Sequence, residues 1–374
     1  MRSPGRAING SAGYNAHMDH QDVTSRREFL SGGAASPGNR AADEAATGDP
    51  GSAAGGEYLV QLKRRAMACD FELFLNAGQY PDGSEVALGA FDLIEQLEEQ
   101  LSVFRPTSEI SAINERAAQG PVAVEPRLFA LLASAAEIFR ASEGAYDITA
   151  GPLTKVWGFY RRAGAIPEPQ ALQEALARVG GQHLLLDPAA GTVGFGKPGM
   201  ELNLGSIGKG YALDRAAELM AAAGIADFLW HGGQSSVLAR GSSAGGRQPG
   251  WTIGIRDPVR SDRRLAEIDL HDQALSTSGS GVQFFRHRGK RYGHIVDPRS
   301  GWPAEGMFSA TVVAPTAAEA DALSTTFYVL GVEKALAYCQ SHPGIGTLLV
   351  YPSPSGSKVE FTVAGLDGSR WRRV

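Results

Sequence analysis

Cysteine is nearly absent from this 374-residue chain, with Cys69 and Cys339 the only two. They form no Cys-x-x-Cys pair and no zinc-type spacing, which excludes the common dithiol and zinc motifs. Two free thiols and one disulfide both fit so wide a separation. Long apolar runs are missing too: no stretch approaches the roughly 18 residues of a membrane-spanning helix. Basic excess is also lacking. The chain has 35 Lys and Arg against 40 Asp and Glu, a formal net charge of −5, which argues against a nucleic-acid binder. The short runs Lys63-Arg64-Arg65 and Arg372-Arg373 read as solvated surface. No internal repeat is visible. What remains is an ordinary balance, 43% apolar and 20% charged, sufficient to bury a sizeable core.

Residues 1–56 read as a disordered tail, dominated by Gly, Ala, Ser, Asn and Pro. Such a segment buries too little apolar surface to offset its ordering entropy. Within it, Ser25-Arg26-Arg27-Glu28-Phe29-Leu30 looks like a twin-arginine export signal. The residues that follow, Ser31 to Pro37, are small and polar where an apolar region is expected. Two locations stay open: an extracytoplasmic, membrane-associated protein, or a cytoplasmic one with a chance arginine pair. Residues 57–374 read as one ordered domain. Strand patterns cover 57–63 and 69–75, the latter alternating Cys69, Phe71, Leu73 and Leu75. Leu88, Phe91, Ile94, Leu97 and Leu101 recur at helical spacing. Further helices fit 127–142, 169–179, 207–223 and 317–330, the last two each ended by a glycine. Short strands fit 228–231, 251–256, 265–270, 292–296, 308–313, 346–351 and 358–363. Strands and helices mix without a βαβ rhythm, so the expected class is α+β, with mixed β-sheets and packed helices.

Four segments carry chemistry. In 203–214 (Asn-Leu-Gly-Ser-Ile-Gly-Lys-Gly-Tyr-Ala-Leu-Asp), three glycines and Lys209 sit where a strand-like segment turns into a helix. Glycine lets backbone N–H groups approach a phosphate, and a helix N-terminus favours an anion. The spacing is neither a Walker A loop nor a Rossmann fingerprint, so a phosphate site and a plain glycine-rich helix start both fit. In 315–325, Thr316 and Glu319 form a capping-box pattern. Asp321 and Thr325 then share one helical face, four residues apart. Both offer the oxygen ligands that Mg²⁺ takes; the plainer reading is a polar stripe with Thr325 bonded back into its helix. In the third segment, Ser276-Thr277-Ser278-Gly279 is followed by His294-Ile295-Val296-Asp297-Pro298. His294 falls on a strand end before a turn, either as a base near neutral pH or as a structural group. In the fourth, Ala145-Tyr146-Asp147 leads to Trp157 and Phe159 around a Gly-Pro turn, aromatics that either wall a planar ring or pack a loop.

Together, in this order and wording, the four segments resemble the ApbE family of FAD:protein FMN transferases, a similarity running from Ala66-Met67-Ala68 to about Gly331. The resemblance implies an α+β flavin-binding fold holding FAD in a cleft, its pyrophosphate facing a divalent metal. It implies flavin contacts at Met67, Phe104, Ala145, Tyr146, Asp147, Asn203, Lys209 and Val296. It implies metal ligands at the Ser206 carbonyl and the side chains of Asp321 and Thr325. Three positions depart from the family's habit: Ala68-Cys69 in place of Gly-Thr, Asn203 in place of Asp, and Ser280-Gly281 in place of Asp-Tyr. The implied reaction is Mg²⁺-dependent transfer of the FMN part of FAD to a Thr or Ser hydroxyl of an acceptor protein, releasing AMP, with His294 as candidate base. Two other readings fit the same residues: an FAD pyrophosphatase that gives FMN and AMP, and a non-catalytic FAD-binding protein. A redox flavoenzyme lacks support, because no nicotinamide-binding fingerprint is present. The acceptor's identity and the oligomeric state are not written in the sequence.

Overall fold

A computed structural model describes residues 58–161, 163–246, 249–279, 281, 283–353 and 358–374. The 1–56 tail and its arginine pair lie outside the described residues, as does Ser280.

The chain opens with β1 (Leu59–Ala66) and β2 (Cys69–Asn76), an antiparallel hairpin closed by Met67-Ala68. Helix α1 (Gly83–Leu101) follows, burying Phe91, Ile94, Leu97 and Leu101 on one face, as their spacing predicts. Next come α2 (Glu109–Arg116), β3 (Val122–Ala123), α3 (Pro126–Ala141), α4 (Gly151–Val156) and α5 (Pro169–Leu176). The small strands β4 (Leu184–Asp187) and β5 (Thr192–Phe195) lead to α6 (Gly208–Ala222). Five strands follow: β6 (Phe228–Gly232), β7 (Ser236–Arg240), β8 (Trp251–Arg256), β9 (Arg264–Leu270) and β10 (Ala274–Gly279). A separate hairpin, β11 (Phe284–His287) and β12 (Lys290–Gly293), precedes β13 (Ser309–Ala314). The chain closes with α7 (Ala317–Leu330), α8 (Val332–Ser341), β14 (Gly346–Pro352), β15 (Val359–Ala364) and β16 (Trp371–Arg373).

Eight strands form the central sheet in the order β1-β2-β6-β7-β10-β13-β14-β15. The α+β class holds, but the expected mixture of strand directions does not. Every described ladder is antiparallel, and the one parallel pairing is an isolated bridge, Ala150 to Glu201. Alternation divides each central strand between two cores. Phe228, Trp230 and Val312 face the main core with α1, α6 and α7, while Leu229 and Val313 pack towards β8 and β9 on the opposite side. Each such fully buried side chain contributes about 1.5–3 kcal/mol.

The glycine-rich segment has a packing role of its own. A Cβ on Gly210 would lie 2.0 Å from the Ala317 carbonyl oxygen, so glycine is required where α6 crosses the start of α7. That start is thoroughly capped. Thr316 Oγ1 accepts from Glu319 N–H at 3.3 Å, and the Asp214 carboxylate accepts from Ala317 and Ala318 N–H at 2.8 and 2.9 Å. Burial raises the Asp214 pKa to about 6 despite those bonds.

Two local expectations change. Residues 292–296 are not one strand: β12 ends at Gly293, and Val296 makes only an isolated bridge to Pro303. Cys69 and Cys339 are both free thiols, which removes the disulfide alternative.

Candidate active site

The N-terminal end of α6, the middle of α7, the β1–β2 turn, the end of β10 and the segment after β12 surround a cleft of about 640 Å³. That volume suits a sizeable organic ligand. The twelve residues given catalytic, flavin or metal roles in the sequence analysis all line it: Met67, Phe104, Ala145, Tyr146, Asp147, Asn203, Ser206, Lys209, His294, Val296, Asp321 and Thr325. A second cavity, about 480 Å³ and lined by Arg256, Arg263 and Arg264, contains none of them.

Asp321 anchors one wall. It is 3% exposed. Its Oδ1 accepts from Ser236 Oγ at 2.6 Å, its Oδ2 accepts from Gly210 N–H at 2.7 Å, and Lys209 Nζ stands 3.8 Å from Oδ2. A buried carboxylate needs such donors to persist, and each oxygen retains lone-pair capacity for a further ligand. Thr325 does not bond back into its helix, as the plainer reading expected. Its Oγ1 meets Ser278 Oγ at 3.0 Å, and Ser278 meets Ser324 at 2.8 Å. It is Thr326 that bonds back, to the Ala322 carbonyl at 2.8 Å. Among the described residues no group of three or more His, Cys, Asp or Glu side chains is placed to hold a metal ion. One carboxylate, a hydroxyl and a nearby carbonyl at Ser206 nevertheless suit Mg²⁺, which usually completes its shell with water and substrate phosphates.

His294 stands on another wall. Its backbone N–H and its Nδ1 both meet the Gln283 carbonyl, at 3.2 and 3.1 Å. A carbonyl only accepts, so Nδ1 carries the proton and Nε2 is the bare nitrogen. Burial pushes the His294 pKa below its ordinary value. The Gln283 bond opposes this shift and the Lys209 charge adds to it. Lys209 is thus electrostatically coupled to both His294 and Asp321.

The remaining positions differ in what they offer. Asp147 is turned into its own loop, accepting from Thr149 N–H, Thr149 Oγ1 and Gly181 N–H at 2.7–2.8 Å. Burial raises its pKa. Asn203 Oδ1 accepts from Gly205 N–H at 2.9 Å, a turn that shapes the approach to α6. The Tyr146 hydroxyl lies 3.3 Å from Ser206 Oγ, and burial pushes its pKa up, so it stays a neutral phenol. Phe104 is 64% exposed and pairs with Tyr160, ring centroids 4.3 Å apart. These two rings form the aromatic lip. Trp157 does not wall the cleft: it is fully buried, its Nε1 donating to the Gly301 carbonyl at 2.8 Å. Met67 and Ala68 both take left-handed backbone, φ 48° and 58°, and Met67 N–H donates to Glu98 Oε2 at 2.7 Å. Ser236, Gln283, Glu98 and Tyr160 belong to the site without having been singled out. Only Tyr160, an aromatic next to Phe159, carried a local signal.

Fold and cleft together define an α+β protein whose oxygen-rich pocket sets the Asp321 carboxylate and a neutral imidazole into one cleft. The family model described as "ApbE family" matches residues 67–349, and this chain belongs to that family. It is 35% identical over 275 residues to the FAD:protein FMN transferase of Treponema pallidum (strain Nichols), covering 70% of this chain and 76% of the relative. Against the FAD:protein FMN transferase of Klebsiella pneumoniae (strain 342) the identity is 31%, covering 72% and 84%. Among solved structures, the ApbE protein of Thermotoga maritima superposes with a TM-score of 0.72 at 28% identity, covering 81% of this chain and 96% of that one. The flavin transferase ApbE of Vibrio cholerae gives 0.72 at 26%, covering 82% and 97%.

Proposed function

We propose that this chain is an FAD:protein FMN transferase, a Mg²⁺-dependent enzyme that moves FMN from FAD to a Ser or Thr hydroxyl of an acceptor protein. The observation that carries the chemistry is the pairing, across one cleft, of the donor-braced Asp321 carboxylate with the bare Nε2 of His294.

The acceptor hydroxyl attacks the FMN-side phosphorus of FAD. A new O–P bond forms there, the pyrophosphate P–O bond breaks, and AMP leaves with the bridging oxygen. His294 Nε2 takes the hydroxyl proton, a role its burial-lowered pKa keeps available near neutrality. Lys209 offsets pyrophosphate charge as a compact cation. Asp321, Thr325 and the Ser206 carbonyl would hold Mg²⁺. Bound there, the ion supplies charge neutralisation at phosphate oxygens, the main catalytic demand of phosphoryl-type transfer. Phe104, Tyr160 and Met67 offer the apolar surface that flavin or adenine rings need.

Incubation with FAD, Mg²⁺ and a candidate acceptor, followed by intact mass measurement, tests this reading. The expected product is an acceptor heavier by FMN less one water, with AMP in equal amount. AMP and free FMN without modified protein would mean that water is the acceptor. FAD that survives prolonged incubation would mean a binding protein. Export through the Ser25–Leu30 segment belongs to the same proposal. A wholly cytoplasmic full-length chain, unmoved by Arg26→Lys plus Arg27→Lys, would overturn that part.

A further inference from the structure

The hairpin β11–β12 stands apart. Among the described residues its strands pair only with each other. Residues 286–291 are Arg-His-Arg-Gly-Lys-Arg, four fixed positive charges on a chain of net charge −5. Arg286 sits opposite Arg291, and His287 opposite Lys290. Like-charged residues set directly opposite destabilise a ladder. The tip is Arg288-Gly289, φ 49° and 80°, a two-residue turn for which Asn-Gly is the comfortable sequence. A lone two-stranded hairpin is already marginal in water. Three unfavourable features thus fall on one element, a pattern expected where function outweighs local stability.

The root, by contrast, is firmly held. Phe285 and Tyr292 stack at 5.3 Å, and both rings pack on buried Trp157, at 6.2 and 5.9 Å. Gly164 approaches so closely that a Cβ there would meet Phe285 Cδ1 at 2.4 Å. Alternation then turns Phe284, Arg286 and Arg291 to the other face. Phe284 is 41% exposed there, with the Arg291 guanidinium 3.9 Å from its ring centroid. Lys290 is bridged to Glu305 at 2.7 Å. The side chains of Arg286, His287 and Arg288 are exposed and have no hydrogen-bond or ion-pair partner among the described residues. Both ends of the hairpin run into the cleft through Gln283 and His294, whereas residues 284–291 do not line it. At about 3.4 Å per residue, Lys290 lies about 14 Å along the strand from His294.

We propose that β11–β12 is the docking arm for the acceptor protein, gripping an acidic segment next to the Ser or Thr that receives FMN. This rests on the transferase reading. Acidic side chains relieve the Arg286–Arg291 pair and meet Arg288, unpartnered among the described residues; Phe284 supplies an apolar contact, and the stem hands the bound segment directly to His294. That continuity favours an acceptor chain over an anionic lipid surface.

The test uses the full-length enzyme carrying Arg286→Thr plus Arg288→Asn. Both changes remove charge and suit their backbone positions better, so the thermal midpoint should hold or rise. The acceptor is the protein of the source cells that acquires covalent flavin fluorescence. A fluorescein-labelled Glu-rich peptide serves as a second probe, read by anisotropy. The expected result is a KM for the acceptor raised about tenfold or more, with kcat and FAD affinity unchanged. Wild-type kcat/KM should fall with added salt while the variant stays flat, and peptide binding should vanish in the variant. An unchanged acceptor KM overturns the proposal. So does an unchanged KM combined with lost binding to phosphatidylserine vesicles, which assigns the patch to a lipid surface. If the wild type modifies no protein at all, the transferase reading fails instead, and the peptide alone decides whether the arm binds acidic chains.

Discussion

Around Asp321, charge is gripped from several sides before any ligand arrives: a helix N–H, a serine hydroxyl and a lysine all point at one carboxylate. Around His294, the imidazole is held by one nitrogen only among the described residues, and the adjoining hairpin sets like charges against one another. The first wall is cross-braced between α6, α7 and β7; the second hangs on a cluster of aromatic rings. The contrast matches the two substrates proposed. A small ligand of constant shape needs groups placed in advance, while a protein acceptor needs a surface that is incomplete until it docks.

Replacing Asp321 by Ala breaks the braced wall most severely. Transfer should nearly stop over a full Mg²⁺ titration, because the one carboxylate of that wall is gone. Thr325→Ala should be milder, since water can replace a neutral hydroxyl ligand. Near-normal turnover by the Asp321 variant would place the metal elsewhere. His294→Ala tests the other wall. Here kcat should fall about 10²–10⁴-fold, the usual contribution of a general base, with FAD affinity measured by fluorescence unaltered. The pH profile sharpens the point. Because burial lowers the His294 pKa, the neutral base form persists below pH 6.5, and the acid limb of kcat should lie under that of an ordinary histidine. The same sign holds for folding. The histidine's contribution to stability is present above its unfolded value and is lost as pH falls through the lowered folded one.

Two smaller effects probe the braces themselves. Gly210→Ala forces a methyl against the Ala317 carbonyl. Stability in urea should drop by at least the ~1–3 kcal/mol typical of overpacking, and activity should follow as α6 and α7 part. Ala68→Gly should act in the opposite direction. Ala68 holds φ 58° in the β1–β2 turn, a conformation that costs a non-glycine residue about 1–2 kcal/mol. Relief of that strain should raise the thermal midpoint by a few degrees, and an unchanged midpoint would show that the turn is not strained.

How much of this was legible beforehand depended on how local the signal was. The α7 boundaries could be read from Thr316, Glu319 and Gly331, because caps act within one turn. The strand Trp251–Arg256 was readable because it alternates buried and exposed residues along its whole length. By contrast β7, Ser-Val-Leu-Ala-Arg, is buried along nearly all of its length, so no period-2 pattern marks it. Helix α2 is as short as α5, but it lacks the Pro167 and Pro169 punctuation that marks where α5 begins. In the site, the Asp321–Thr325 face followed from i,i+4 geometry. Ser236 did not, because its bond to Asp321 joins residues 85 positions apart. Trp157 and Phe159 show the limit of composition. Both are buried aromatics beside the same turn, yet only Phe159 also lines the cleft. Strand direction was likewise illegible, since pairing partners are chosen only in three dimensions.

That long reach across the sequence has a consequence in time. Asp321 is held by residues made 85 and 111 positions earlier. At ribosomal rates of about 5–20 residues per second, the Ser236 hydroxyl precedes its carboxylate by about 4–17 s. During that interval α6 has no α7 to cross, and the Gly210 amide and the Ser236 hydroxyl lack the carboxylate that they will share. A nascent chain therefore passes through a stage with its aromatic lip made and its anionic centre still unsynthesised. Nucleotide capture through that wall waits until α7 has been made as far as Thr325, the last of the cleft-lining residues in chain order, which makes a bound flavin a sign that synthesis of the cleft is finished.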